Sequence, residues 1–252
     1  YFLLLFLIVV LGIFFQPLNI KISNKVCDGQ TFYVVIIGIF LIALCGLRGT
    51  EIGNDTGMYR YIFESMSHLD WKEYWKEYHY WEVGYYFLQF AVSRFWGYQI
   101  FLIIAAVLSI GPVVFIIHRY SADKVFSFVL YVCFTYYTFC FSMLRQGIAL
   151  GFIMLAYHQI RQRNLKCFLI LTMAAVSFHT SALLFLPIYW IDKIPYQRIT
   201  ILFSAFLMMA AYIFKDNLWL IATRFARQQY QAGIDAGGER MYLFMILTVI
   251  LG

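Results

Sequence analysis

The chain has 252 residues, 63% of them apolar and only 13% charged, whereas a soluble domain carries about a quarter charged residues. That balance excludes a water-soluble globular enzyme, and apolar runs that are continuous rather than alternating exclude a membrane β-barrel. The net charge of +6 does not point to nucleic acid, because the basic residues sit in short loops between apolar runs, where they set topology.

In chain order, residues 1–20, 29–47, 95–117, 125–144 and 167–191 contain no Asp, Glu, Lys or Arg. About 17–25 apolar residues cross hydrocarbon as a helix, so these runs are the candidate spans. Shorter charge-free runs occupy 83–93, 146–160, 199–214 and 241–252. The fold class expected is all-α, a polytopic transmembrane helical protein with juxtamembrane helices on its outer face. No cleavage pattern follows Tyr1–Phe15, so this run reads as a span rather than a signal peptide. The chain begins without Met inside one apolar run and ends inside another. A single integral-membrane domain over 1–252, cut from a longer protein at both ends, is therefore expected.

Cysteine chemistry contributes little. Cys45, Cys133, Cys140 and Cys167 lie in apolar segments, where a thiol behaves as a small hydrophobe, and no CxxC pair is present to hold zinc. The sequence contains no HExxH, no Walker-type loop and no GxGxxG. Neither a metal nor a cofactor is expected.

Lys and Arg in short loops mark the cytoplasmic side. Three loops qualify: "KISNK" with Lys21 and Lys25, "HRYSADK" with Arg119 and Lys124, and "RQRNLK" with Arg161, Arg163 and Lys166. The segment 48–82, with four Lys/Arg against seven Asp/Glu, is then outside. Residues 48–97 form an outer-face loop and juxtamembrane region. In "HLDWKEYWKEYHYWE", Trp71, Trp75, Tyr78 and Glu82 share one helical face and Lys72, Glu73, Lys76 and Glu77 the other. Such a division suits a helix lying in the interface, so 69–80 is placed on the outer surface and 83–96 as a shallow or re-entrant helix. The run 167–191 is read as two short helices broken at "SFHTS", turning near the outer face.

Ionisable groups within or beside spans cost on the order of 2.5–3.5 kcal/mol each at the helix centre, so those that occur need a reason. Four clusters converge on the outer side: Arg48, Asp55, Tyr59 and Arg60; Glu82; Arg145 and Gln146; and His179. A fifth, in "RFARQQYQAGIDAGGERMY", adds Arg224, Arg227, Tyr230 and Arg240. Guanidinium grips phosphate through a planar fork and stays charged when desolvated, so these arginines point to an anionic ligand. Arg145 follows twenty charge-free residues and must sit at a membrane surface or in a watered cavity. Asp55, Glu82 and His179 are the candidate bases. Pairing of Asp55 with Arg48 or Arg60 is the competing structural reading, and His179 read alone is a packing histidine.

Taken together, these motifs resemble the EpsG family, the Wzy-like polysaccharide polymerases of bacteria. The resemblance rests on "RGTEIGNDTGMYRYIF", then "WEVGYYFL", "MLRQGIA" and "SFHTSALLFLP" in that order. It implies an enzyme of the bacterial cytoplasmic membrane, without a metal, that joins repeat units carried on polyprenyl pyrophosphate at the outer face. The polymer would be an exopolysaccharide, capsule or O-antigen. Under that reading Arg48, Tyr59, Arg60, Arg145, Gln146, Arg224, Arg227, Tyr230 and Arg240 hold pyrophosphate and sugar, while Asp55, Glu82 or His179 takes the acceptor's proton. The implied partners are the polyprenyl-pyrophosphate-linked oligosaccharide, membrane lipid and a chain-length regulator, with no nucleic acid. Three rivals remain. A flippase for the same lipid would show internal repeats, of which none is found; a glycan ligase would share the donor chemistry; an assembly subunit would need neither Arg145 nor His179.

Overall fold

A computed structural model describes residues 2–15, 19–22, 25–53, 55–78, 82–191 and 198–215. The chain falls into two compact units, Tyr1–Tyr189 and Trp190–Gly252. In the second, the longest described element is an apolar helix, Arg198–Ile213 (α12), with Leu202, Phe203 and Phe206 exposed.

The first unit is almost wholly helical. Its helices are Phe2–Phe15 (α1), Gly29–Gly46 (α2), Thr56–Met66 (α3), Trp71–Tyr78 (α4), Val83–Ser93 (α5), Tyr98–Tyr120 (α6), Lys124–Cys133 (α7), Tyr136–Ser142 (α8), Leu144–Arg161 (α9) and Leu165–Phe178 (α10). A 3₁₀ turn, Thr180–Phe185, follows, and then the short Ile188–Ile191 (α11), which runs into the second unit. The all-α expectation holds for the body of the chain, and one loop adds a detail to it. "KISNK" is not a plain loop: Asn19–Ile22 (β1) and Lys25–Asp28 (β2) pair antiparallel as a hairpin, with Asn19 opposite Asp28.

Two of these helices, α2 and α6, are long and apolar enough to cross a membrane, and a third span results if the bent pair α7–α8 counts as one. At 23 residues, α6 is about 35 Å long, enough for a hydrocarbon core of about 30 Å. Within the run 1–20, α1 is described over Phe2–Phe15, 14 residues, and Asn19 and Ile20 belong to β1. The run 125–144 bends by 49° at Thr135, a non-glycine residue with φ +64°. Holding such a residue in the left-handed region costs about 1–3 kcal/mol. The break at "SFHTS" is present: α10 ends at Phe178 and His179 is extended.

Packing proceeds through α2, α6, α9 and α10 in turn, and these are the densest helix pairs of the unit. The α6–α9 crossing has a specific cause. Pro112 has no N–H, so the carbonyl of Leu108 one turn back loses its helical donor. Gly151 of α9 faces that carbonyl so closely that a Cβ there would overlap its oxygen and lie 3.3 Å from Pro112 Cγ.

Hydrogen bonds between helix ends give the bundle two distinct poles. At one, Gln99 of α6 donates to the Gly46 carbonyl of α2 (2.5 Å) and Tyr98 to the Thr56 carbonyl (3.2 Å). At the other, Lys124 donates to Gln30 (2.8 Å), and the Tyr120 hydroxyl meets His158 Nδ1 (2.7 Å). The second pole carries the basic ends: Arg119 closes α6, Lys124 opens α7, Arg161 closes α9 and Lys166 opens α10. Arg145 and Arg161 stand at opposite ends of α9, about 24 Å apart along its axis.

At the first pole, α4 is amphipathic and closed by a reciprocal cap: the Glu73 amide donates to Asp70 Oδ1 (2.7 Å) and the Asp70 amide to Glu73 Oε2 (2.9 Å). Tyr74 stacks on Phe90 of α5 with centroids 4.4 Å apart, while Trp71 and Trp75 are about half exposed. Glu82 does not share this helix with the tryptophans. It opens α5 instead.

Replacing Gly151 with Ala is expected to force α6 and α9 apart and to destabilise the fold by about 1–3 kcal/mol. Thermal unfolding of the purified protein in detergent checks this, and an unchanged midpoint would show that the close crossing is not structural.

Candidate active site

Glu82 stands immediately before α5, and Gly84 two residues later explains why it is there. A Cβ on Gly84 would overlap Ser177 Oγ and lie 3.1 Å from the Ser177 carbonyl, so glycine lets the start of α5 meet the end of α10. Two residues beyond Ser177 comes His179, and Glu82 is carried directly opposite it.

Its carboxylate is shared between two donors. Arg145 Nη1 donates to Oε2 at 2.8 Å, and His179 Nδ1 donates to Oε1. Glu82 and His179 are each 8% exposed, and a carboxylate buried to that degree persists as an ion only with partners of this kind. Since the carboxylate can only accept, Nδ1 carries the imidazole proton. Nε2 lies 3.0 Å from the Gln146 amide nitrogen. An orienting carboxylate behind a histidine is the arrangement that fixes tautomer and ring position in general-base catalysis.

Arg145 and Gln146 belong to the first turn of α9. A cation at a helix N-terminus opposes the macrodipole, so Arg145 is held there by its partners rather than by its helix. One is Glu82. The other is Tyr59 of α3, itself buried and edge-on to Tyr85, with ring centroids 5.7 Å apart. Burial raises the Tyr59 hydroxyl above the ordinary tyrosine range, although the Arg145 guanidinium, in hydrogen-bonding reach, pulls the other way. Tyr59 therefore remains a neutral phenol at physiological pH. Asp55, one turn earlier, occupies the N-cap position of α3 without making a side-chain cap bond, and its charge reaches Tyr59.

The other sequence candidates sit elsewhere. Arg48 is 4% exposed, with Nη1 on the Cys45 carbonyl (3.0 Å) and sulfur (3.1 Å) and Nη2 on the Phe141 carbonyl (2.9 Å). Its guanidinium lies 5.1 Å from the Phe141 ring centroid. It thus ties the C-terminal end of α2 to α8, where a cation also suits the dipole. Arg60 is exposed and pairs with Glu64 at 2.7 Å. The pairing of Asp55 with Arg48 or Arg60 is therefore replaced by these contacts. Arg224, Arg227, Tyr230 and Arg240 lie outside the described residues. Among the described residues, no three His, Cys, Asp or Glu side chains come together.

On the far side of His179 from Glu82 a cleft of about 440 Å³ opens between α8, α9 and the 3₁₀ turn. Its polar lining is Gln146, His179 and Ser181, and the rest is apolar, including Phe139, Ala149 and Ile153. Sequence reasoning missed this cleft. Gln146, Ala149, Leu150 and Ile153 follow the i, i+3, i+4, i+7 spacing of one helix face, which was the signal available. Tyr85, fully buried beneath Tyr59, was missed for lack of any such signal.

Replacing Glu82 with Ala leaves the buried imidazole and the partly buried guanidinium without their acceptor and is expected to cost about 1–3 kcal/mol of stability. The double change Glu82→Ala with Arg145→Met should cost less than the sum of the single changes by about 1 kcal/mol or more. Strict additivity in thermal unfolding would mean that the two side chains are not coupled.

A family model described as the EpsG family matches residues 31–252. No curated protein and no solved structure matches the chain. The apolar helices and the family match together indicate a protein embedded in a membrane, and the family is one of polysaccharide-polymerase-like function. With the match covering most of its length, the chain belongs to the EpsG family.

Proposed function

We propose that the protein is a repeat-unit polymerase, a membrane glycosyltransferase that joins oligosaccharides carried on polyprenyl pyrophosphate at the outer face of the bacterial cytoplasmic membrane. The observation that carries this reading is the carboxylate of Glu82 held between Arg145 and His179, at the pole of the bundle opposite the basic loops. If Arg119, Lys124, Arg161 and Lys166 face the cytoplasm, as basic loops do, the cluster faces outward.

The chemistry follows from the charges. The growing glycan is the donor, bonded at its anomeric carbon to pyrophosphate, and a hydroxyl of the incoming repeat unit is the acceptor. As the hydroxyl oxygen bonds to that carbon, its proton passes to His179 Nε2. The bond from carbon to the pyrophosphate oxygen breaks, and the lipid pyrophosphate leaves with the electron pair. Before the step Glu82, Arg145 and neutral His179 sum to zero charge; after proton transfer they sum to plus one. The site thus becomes cationic while the leaving group becomes more anionic, so stabilisation is concentrated in the transition state.

Each remaining residue has a role in this scheme. Glu82 has both oxygens engaged, so it orients His179 and balances its charge rather than taking the proton. Gln146 occupies Nε2 in the resting site and yields to the acceptor hydroxyl; turned about its amide, it accepts from the imidazolium. Tyr59, a neutral phenol beside Arg145, donates to phosphate or sugar oxygen. Asp55 is the alternative base, favoured by a side chain that makes no cap bond.

In a strain lacking the native gene, complementation with His179→Ala or Arg145→Ala at wild-type membrane abundance is expected to give single repeat units in place of a glycan ladder. Removing a general base typically costs about 10²–10⁴ in rate. Asp55→Asn is expected to retain a ladder. A full ladder from His179→Ala together with its loss in Asp55→Asn would transfer the base to Asp55. Ladders from all three variants would contradict an enzymatic role for this site.

A further inference from the structure

The second pole carries cations that the cluster at the first pole does not use. Arg119 and Arg161, in the last turns of α6 and α9, are exposed. Among the described residues, neither has a carboxylate within ion-pair distance. The acids of this pole, Asp28 and Asp123, serve as helix caps, accepting from the Gln30 amide (3.2 Å) and the Phe126 amide (3.0 Å). We propose that the paired ends of α6 and α9 bind an anionic phospholipid, with these two arginines on its phosphate and its acyl chains along α6. The inference is independent of the polymerase reading.

Two general explanations account for the charge but not for its setting. Arginine in a short loop sets topology, and a cation in a last turn suits the helix dipole. Neither needs a partner on another helix, yet here the two helix ends are joined by a frame. The Tyr120 hydroxyl meets His158 Nδ1 at 2.7 Å, and His158 Nε2 lies 2.8 Å from the Gln162 amide nitrogen. Phe115 stands edge-on to the same imidazole, with ring centroids 5.0 Å apart. The Arg161 guanidinium lies over the Tyr120 ring, 5.5 Å from its centroid, and Arg119 adjoins Tyr120 in the chain. A guanidinium on an aromatic face keeps its N–H edge available for a phosphate fork. Basic sites between helices on the cytoplasmic side are where anionic headgroups bind. The apolar side of the site is α6 itself. Val107, Gly111 and Phe115 recur every four residues and share one helical face. Val107 and Phe115 are exposed, and a Cβ on Gly111 would meet nothing within 4 Å. Because α6 is long and apolar enough to span, that stripe lies against acyl chains, with a notch at Gly111. A free phosphate would use the arginines but not the stripe, so the occupant is a lipid.

The experiment is native mass spectrometry of the full chain in detergent, titrated with dioleoyl phosphatidylglycerol or dioleoyl phosphatidylcholine. These lipids share acyl chains and differ in net charge, and preferential retention of phosphatidylglycerol is expected. Arg119→Gln with Arg161→Gln is expected to weaken that binding about tenfold, equivalent to about 1.4 kcal/mol, with an unchanged thermal midpoint in lipid-free detergent. Lys124, Arg163 and Lys166 remain in this variant to hold the topology. Gly111→Leu fills the notch and tests the acyl side independently of the arginines; it too is expected to weaken retention. Arg60→Gln removes an exposed arginine from the other pole and is expected to change nothing, and sn-glycerol 3-phosphate is expected not to compete. Equal retention of the two lipids, undiminished binding by the double variant or by Gly111→Leu, an equal loss in Arg60→Gln, or competition by glycerol phosphate would overturn the proposal.

Discussion

One buried carboxylate organises the first pole of this molecule. Glu82 accepts from Arg145 on one oxygen and from His179 on the other, so it joins α5, α9 and the break after α10. Each partner alone would be out of place. Arg145 opposes the dipole of its own helix, His179 interrupts an apolar run, and Glu82 is buried where an unpaired charge would not survive. Together they satisfy one another's hydrogen bonds.

The surrounding fold supplies rigidity by bringing backbones unusually close. Gly84 against Ser177 sets the distance across which Glu82 meets His179, and Gly151 against the carbonyl freed by Pro112 locks α6 to α9. Both devices act by removing a side chain where another would be expected, which is how apolar helices approach when lipid offers no hydrophobic drive to association. The result separates two chemistries along α9. Its first turn carries Arg145 of the ionic cluster, and its last turn carries Arg161 among the basic ends of α6, α7 and α10.

Much of this was readable in the sequence, for physical reasons that also mark where reading stops. Continuous apolar runs reported α2 and α6 closely, since hydropathy and helix length are local properties. The same criterion did not report that Asn19 and Ile20 belong to a strand, because nothing in composition distinguishes an apolar residue in a helix from one in a short hairpin. It also missed the bend at Thr135, which depends on a backbone angle rather than a residue class. Glu82, Arg145 and His179 could be nominated because charge in an apolar setting demands explanation. Their convergence spans 63 and 97 residues and depends on helix packing that no local pattern encodes. Arg48 shows the converse: it has the same chemistry as Arg145, yet the end of α2 and the carbonyl of Phe141 take up its donors. The cleft was missed because its walls are ordinary apolar residues whose significance lies in what they face.

The central claim is that the Glu82 carboxylate makes His179 an effective proton acceptor. The most direct measurement is polyprenyl pyrophosphate release by purified protein supplied with a defined lipid-linked repeat unit, comparing wild type with Glu82→Gln. The amide keeps the size of the side chain and removes its charge. If the account is right, release falls by about 10²–10⁴ while the variant stays folded and still binds the lipid-linked donor. Release at the wild-type rate from Glu82→Gln would contradict it, leaving the Glu82–Arg145–His179 contacts as structure alone.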